Sequence, residues 1–251
     1  MPEDLKPMLA TLTKRPFDRK DWIYESKWDG YRALAYLNEN KITLQSRNQL
    51  SFNQKFPLIT DALKAWNPRA VVEGEIVEQD QAGKPDFQML QQFLKRGKTT
   101  RLVYYLFDLI WYNGRDLKAL PLLERKEILR SIVTADTEVI AYCAHISEKG
   151  TAFFKAATAK GLEGVLAKAA DSQYMAGTRS ADWLKIKNTR QMEAIICGFT
   201  EGRGSRSHFG ALILGKYENG TLRYIGHTGG RWTEETRKSL FKKMKPFIRK
   251  R

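Results

Sequence analysis

From Trp22 to Tyr36 the sequence WIYESKWDGYRALAY alternates apolar and polar positions on both sides of a polar interruption, which predicts two strands joined around Lys27–Gly30. Short strand patterns return at Lys41–Ser46, Ala70–Val77, Leu162–Lys168 and Trp183–Ile186. The longer apolar run Arg101–Ile110 (RLVYYLFDLI) reads as a buried strand, followed by a turn at Asn113-Gly114. Helical spacing marks Phe56–Ala65, Leu122–Ile132 and Thr151–Lys160. Strands interleaved with helices in this way predict an α+β domain. Several strands carry Lys or Glu, and a charge facing a sheet interior needs a partner or a ligand.

The texture changes at Asn188–Gln191. Beyond it come AIICGF, the polar loop EGRGSRSH, ALILGKY, a hairpin turn at Glu218-Asn219-Gly220, and TLRYIGH. Thr233 is placed to cap a helix with Leu240, Phe241 and Met244 on its apolar side, and Pro246 to end it. Two domains are expected, 1–189 and 190–251. The second has a small core and an exposed sheet edge unless something completes it.

A hydrophobic content of 42% is that of a globular chain. No apolar run approaches the roughly 18 residues of a membrane span, and the start lacks a signal-peptide core. A cytoplasmic protein with no membrane association is expected. Cys143 and Cys197 are isolated, and His145, His208 and His227 are scattered, so neither a zinc ribbon nor a histidine metal site is indicated. The net charge of +15 favours a polyanionic partner, nucleic acid first. From Arg231 to Arg251 nine Lys/Arg face two Glu, concentrating +7 at one end. That run is also what a solvated helix surface looks like.

The remaining charges fall into an ordered series: Lys27-x-Asp29-Gly30-x-Arg32, Ser46-Arg47-Asn48, Glu73-Gly74-Glu75, Phe107-Asp108-Leu109, Glu163-Gly164-Val165-Leu166-Ala167-Lys168 and Trp183-Leu184-Lys185-Ile186-Lys187. Lone KxDG is weak, but six motifs in order are not. The series resembles the covalent nucleotidyltransferase superfamily of ATP-dependent DNA ligases, RNA ligases and mRNA capping enzymes. Pro7-Met8-Leu9-Ala10, Glu25-Ser26-Lys27, Pro85-Asp86-Phe87, Gly114-Arg115-Asp116-Leu117 and Pro121-Leu122-Leu123-Glu124-Arg125 further resemble the ligase domain of bacterial ligase D proteins, which act in non-homologous end joining.

The resemblance implies an ATP-grasp-like adenylation domain of antiparallel sheets with flanking helices, followed by a partial, C-terminally truncated OB-fold. It implies that Lys27 attacks the α-phosphate of ATP to form lysyl-AMP. AMP then passes to a DNA 5′-phosphate, and a 3′-hydroxyl seals the strand. A lysine attacks only when neutral, so desolvation and nearby cations must favour loss of its proton. Lys185 and Lys187, two apart on a strand, share one face and can steady phosphoryl charge. Asp29 and Glu163 are hard oxygen ligands or orienting groups for Mg2+ or Mn2+, with Asp29 also counted among the catalytic residues.

Family placement sets Glu75 near ribose or metal and Phe107 against adenine, with Glu25 and Lys168 among the nucleotide-binding groups. Arg32 and Arg47 are implied to hold phosphate. Plainer readings exist: Phe107 as core, Lys168 as a solvated strand end, Glu73 as a salt-bridged strand residue, Trp28 and Tyr31 as packing.

Two departures matter. Gln49 stands where the family usually has glycine, and Glu73 where aspartate is usual. The family's last motif, which orients pyrophosphate, is not supplied by Pro246–Arg251, which bears on the first step from ATP. Nicked or broken duplex DNA is the expected partner, with Ku and a repair polymerase in an end-joining role and the chain itself a monomer. RNA ligation, GTP-dependent capping and a non-catalytic DNA-end-binding module are the rival readings.

Overall fold

The computed structural model describes residues 1–39, 41–97, 101–133, 138–188, 192–202, 204, 207–230 and 232–249. The chain divides into two compact units, Met1–Thr189 and Arg190–Arg251. The domain-boundary residues 189–191, three positions of the EGRGSRSH loop, and Arg231, Lys250 and Arg251 of the basic run lie outside the described residues.

Two sheets build the first unit. One contains β1 (Leu9–Thr13), β2 (Trp22–Ser26), β9 (His145–Ser147), β10 (Gly164–Ala169) and β11 (Arg179–Lys187), in the order β1-β11-β10-β2-β9. Its pairings are antiparallel except β1 with β11. The other contains β3 (Tyr31–Asn38), β4 (Lys41–Ser46), β5 (Ala70–Glu78), β6 (Leu102–Tyr112) and β7 (Arg115–Asp116), in the order β4-β3-β5-β6-β7. β8 (Ile140–Tyr142) adds to it by pairing parallel with β6.

β3 shows why the sequence specifies this arrangement. Its residues Ala33–Leu37 are all buried, so both faces of the strand are covered. Ala33, Ala35 and Leu37 point into a core shared with α1 (Pro57–Trp66) and α2 (Phe87–Arg96), through Phe56, Ile59, Leu63, Leu90 and Phe93. Leu34 and Tyr36 point the other way and pack with Ile23 of β2, Phe107 of β6 and Trp183 of β11. This second core lies between the two sheets.

The segment Lys27–Gly30 therefore links strands of different sheets rather than closing a hairpin. Gly30 is required where it crosses, because a Cβ there would collide with the Ile76 carbonyl. The Asn113-Gly114 turn has both residues at positive φ, 45° and 89°, and joins β6 to β7. α3 (Leu122–Ile132) and α4 (Gly150–Ala159) complete the unit. Gln49 adopts φ 61°, the left-handed conformation in which glycine is less strained, and Ser46 Oγ accepts from the Asn48 and Leu50 N–H groups around it.

In the second unit, β12 (Ile195–Phe199), β13 (Leu212–Glu218) and β14 (Thr221–Thr228) form an antiparallel sheet in that order. Asn219 and Gly220, at φ 51° and 77°, make the tight turn between β13 and β14. α5 (Glu234–Met244) starts with Thr233 Oγ1 accepting from the Thr236 N–H and gives way to a single 3-10 turn at Lys245–Phe247 containing Pro246. Phe199, Phe209 and Phe241 pack together beneath the sheet, while Leu222, Tyr224 and Ile225 of the edge strand β14 are exposed. Among the described residues no helix is long and apolar enough to cross a membrane.

Candidate active site

Lys27 follows β2 directly, and its backbone N–H donates to the Gly164 carbonyl at 3.0 Å, tying the turn to the start of β10. The start of β10 is drawn tightly onto β11. Gly164 has φ 149°, and a Cβ on it would collide with the Ile186 carbonyl. Register then pairs Gly164 with Lys187 and Leu166 with Lys185. As a result Glu163 takes an ion pair from Lys27 on one oxygen and from Lys187, at 3.2 Å, on the other.

A cavity of about 510 Å³ opens beside Lys27, within the range usual for small-molecule sites. Of the residues expected from sequence, Glu25, Lys27, Arg32, Arg47, Glu75, Phe107 and Lys185 line it. Asp29, Glu163, Lys168 and Lys187 are not on its wall. Three of these remain close to the nucleophile: Glu163 and Lys187 through the ion pairs, and Asp29 through the charges of Glu163, Lys27 and Lys187 that act on its carboxyl. Lys168 differs from expectation. It is wholly buried, pairs with Glu25 at 2.6 Å, and lies 4.1 Å and 4.5 Å from the ring centres of Trp183 and Phe107. It braces two rings instead of reaching the cavity.

Glu25 is held from both sides, by Lys168 and by Lys126 of α3, each at 2.6 Å. Burial works against its charge, but the two ammonium groups keep the carboxyl below its ordinary pKa. Burial lowers Lys168, and Lys126 is driven upward by Glu25 against burial. Burial and then the cations Arg179, Lys187, Lys27 and Arg47 lower Lys185, which shows how densely positive charge surrounds the cavity. Such a field suits a polyphosphate.

The carboxylates do not form a ready-made metal cage. Among the described residues no group of three or more His, Cys, Asp or Glu converges. Asp29 is raised by burial and by Glu163, and Glu75 is raised to about 7, chiefly by burial. Hard oxygen donors kept uncomfortable by burial and by one another fit a divalent cation that takes its other ligands from phosphate and water.

Residues 7–187 match the family model described as the ATP dependent DNA ligase domain. The chain belongs to the ATP-dependent DNA ligase family. The multifunctional non-homologous end joining protein LigD of Pseudomonas aeruginosa is 36% identical over 98% of this chain, which covers 30% of that protein. The SPbeta prophage-derived DNA ligase-like protein LigB of Bacillus subtilis is 33% identical over 78% of this chain and 72% of its own length. The solved structure of mycobacterial DNA ligase D complexed with ATP and MES has a TM-score of 0.69 at 29% identity, over 96% of this chain and 78% of that one. This ligase-family chain thus spans about a third of the length of its LigD relatives.

Within the ligase-family site, Arg179 lies on the cavity wall and Lys126 behind it, and neither emerged from sequence. The signal for Lys126 was helical spacing, since it falls four residues after Leu122 and three before Leu129 on the buried face of α3; Arg179 was marked only by its place just before the Trp183 motif. Glu75 carries a pH prediction. Its folded pKa of about 7 exceeds that of an unfolded glutamate, so the native state binds the extra proton first. Stability should therefore fall as pH rises from about 4.5 to 7. Glu75→Gln should flatten that slope in denaturant unfolding across the window; an unchanged slope would place the titration elsewhere.

Proposed function

We propose that this chain is the catalytic core of an ATP-dependent DNA ligase. The observation that carries the reading is a lysine at the mouth of a cation-walled cavity, on the turn between two sheets, in a chain of the ligase family. Residues 1–189 act as the nucleotidyltransferase domain, with an ATP-grasp-like arrangement, and residues 190–251 as part of an OB-fold.

In the first step Lys27 Nζ bonds to the α-phosphorus of ATP, the bond to the β-phosphate oxygen breaks, and pyrophosphate leaves. The amine proton must leave as well, and Glu163, already bonded to Nζ, is placed to take it. Next an oxygen of the DNA 5′-phosphate attacks the same phosphorus, the P–N bond breaks, and Lys27 recovers a proton. The 3′-hydroxyl then attacks the activated 5′-phosphate and AMP departs.

Lys185 and Lys187 offset the charge that develops on the transferring phosphoryl group. Phe107 and Glu25 line the nucleotide end, and Arg32 and Arg47 take the DNA phosphate. Asp29, Glu75 and Glu163 are the residues that would hold Mg2+ or Mn2+, which supplies charge neutralisation at the phosphates. Broken as well as nicked duplex ends, with Ku and a repair polymerase as partners and the chain itself monomeric and nucleoid-associated, belong to the same proposal. The end-joining function named for the LigD relatives supports the broken-end substrate.

The test follows a label. Incubation with labelled ATP should transfer AMP to the protein, and addition of a nicked duplex should move it onto DNA and then release it. A protein that binds nicked DNA but never takes the label, and does not seal a pre-adenylated nick, would leave only a binding module. Lys185→Ala and Lys187→Ala should each slow labelling about 100-fold without unfolding the chain. Unchanged labelling rates would remove them from the phosphate site.

A further inference from the structure

Tyr174 lies on the loop between β10 and β11 and has no part in the steps above, yet its phenol oxygen joins two distant segments. It accepts from the Met8 N–H at 3.2 Å and donates to Glu73 Oε2 at 2.9 Å. Glu73, fully buried on β5, takes Arg32 Nε on its other oxygen at 2.7 Å. The phenol ring is buried edge-on against Trp183, with 6.1 Å between centroids.

Arg32 is left with a donor to spare. Its Nη2 is shielded from solvent and has no hydrogen-bond partner among the described residues, although Arg32 lines the cavity. A buried cationic N–H without an acceptor is costly, and an anionic oxygen entering the cavity is the group that would satisfy it. Whether Nη2 meets that oxygen depends on how firmly Glu73 is fixed. Held by Arg32 alone, the carboxylate can swivel about its last torsion; held also by Tyr174, it cannot. Burial, and then Glu73, push the Tyr174 hydroxyl well above its ordinary pKa, so it keeps the proton it donates.

We propose that Tyr174 is a positioning residue for the DNA-phosphate steps: by fixing Glu73 it holds Arg32 with its unpartnered nitrogen available to the 5′-phosphate. This rests on the reading that Arg32 takes that phosphate. Lysine adenylation, which needs no DNA phosphate, should not depend on it.

Tyr174→Phe in the full chain tests the idea, since it deletes one oxygen and keeps the ring. Adenylation is read by intact mass, and sealing by single turnover on a pre-adenylated nicked duplex. Sealing should fall about tenfold, the worth of a hydrogen bond to a charged group, with adenylation within about twofold of wild type. In an Arg32→Gln background the same change should cost nothing further, a coupling that mere loss of packing would not show. Equal losses in both steps, unaffected sealing, or an additive loss beside Arg32→Gln would overturn the proposal. Should Tyr174→Phe not fold, Glu73→Gln should give the same step-selective loss, and its absence would count equally against it. A wild-type chain that neither labels nor seals would instead sink the ligase reading.

Discussion

Lys27→Ala protein incubated with ATP and a divalent metal should acquire no AMP, with labelling down about a thousandfold or more. The reason is covalent: without Nζ there is no atom to form the P–N bond. Lys27→Arg should fail equally, because a guanidinium keeps its proton and offers no lone pair. The same Lys27→Ala protein should still seal a nick that already carries AMP, since the final step uses the 3′-hydroxyl as nucleophile. That pairing separates chemistry from folding, as an unfolded variant would lose both activities. Persistence of a protein-bound AMP in Lys27→Ala would move the nucleophile to another residue. Glu163 adds a condition. An ion-paired lysine is not a nucleophile, so the Lys27–Glu163 contact must be broken or its proton passed to Glu163 before attack.

Much of this was legible in the sequence, and the exceptions have a common cause. Alternation is local, so the strands around Lys27 could be read from WIYESKWDGYRALAY. The pattern contains nothing about neighbours, however, and β2 and β3 go to different sheets. The helix at α2 was readable in principle, since Asp86 accepts from the Gln88 and Met89 N–H groups as an N-cap, yet Pro85-Asp86-Phe87 stood out as a motif and not as a helix start. Lys27, Arg32, Arg47, Lys185 and Lys187 were legible as motif members, whereas Arg179 and Lys126 were not. The pairings were not legible either, because Glu25 meets Lys126, Glu73 meets Tyr174 and Lys27 meets Glu163 only after long stretches of chain have folded back. Lys168 shows the cost: motif placement set it among the nucleotide-binding groups, with a solvated strand end as the plainer reading, and only the tertiary structure reveals two rings and a carboxylate around it.

The largest expected loss of stability comes from Arg125, which carries no reaction chemistry. Its side chain is fully buried and grips Asp108 with two bonds, Nε to Oδ1 at 2.8 Å and Nη2 to Oδ2 at 3.0 Å. Its remaining nitrogen, Nη1, donates to the Leu120 and Ser172 carbonyls at 2.6 Å and 2.9 Å. One guanidinium thus binds α3 to β6 immediately after Phe107, and to the loop that leads from Ser172 to Tyr174. Arg125→Ala would strand the Asp108 carboxylate in the core and free two carbonyls, at a cost of about 3 to 5 kcal/mol. For a chain of this length that should lower the melting temperature on the order of 10 °C. Removing both charges with Arg125→Met and Asp108→Leu together should cost less than the sum of the two single changes, because no unpaired ion remains. A double variant as unstable as that sum would show that the pair contributes through shape alone. Because Phe107 immediately precedes Asp108 and lines the cavity, the surviving folded fraction of Arg125→Ala should also label more slowly with AMP, which ties the packing of this core to the cavity beside it.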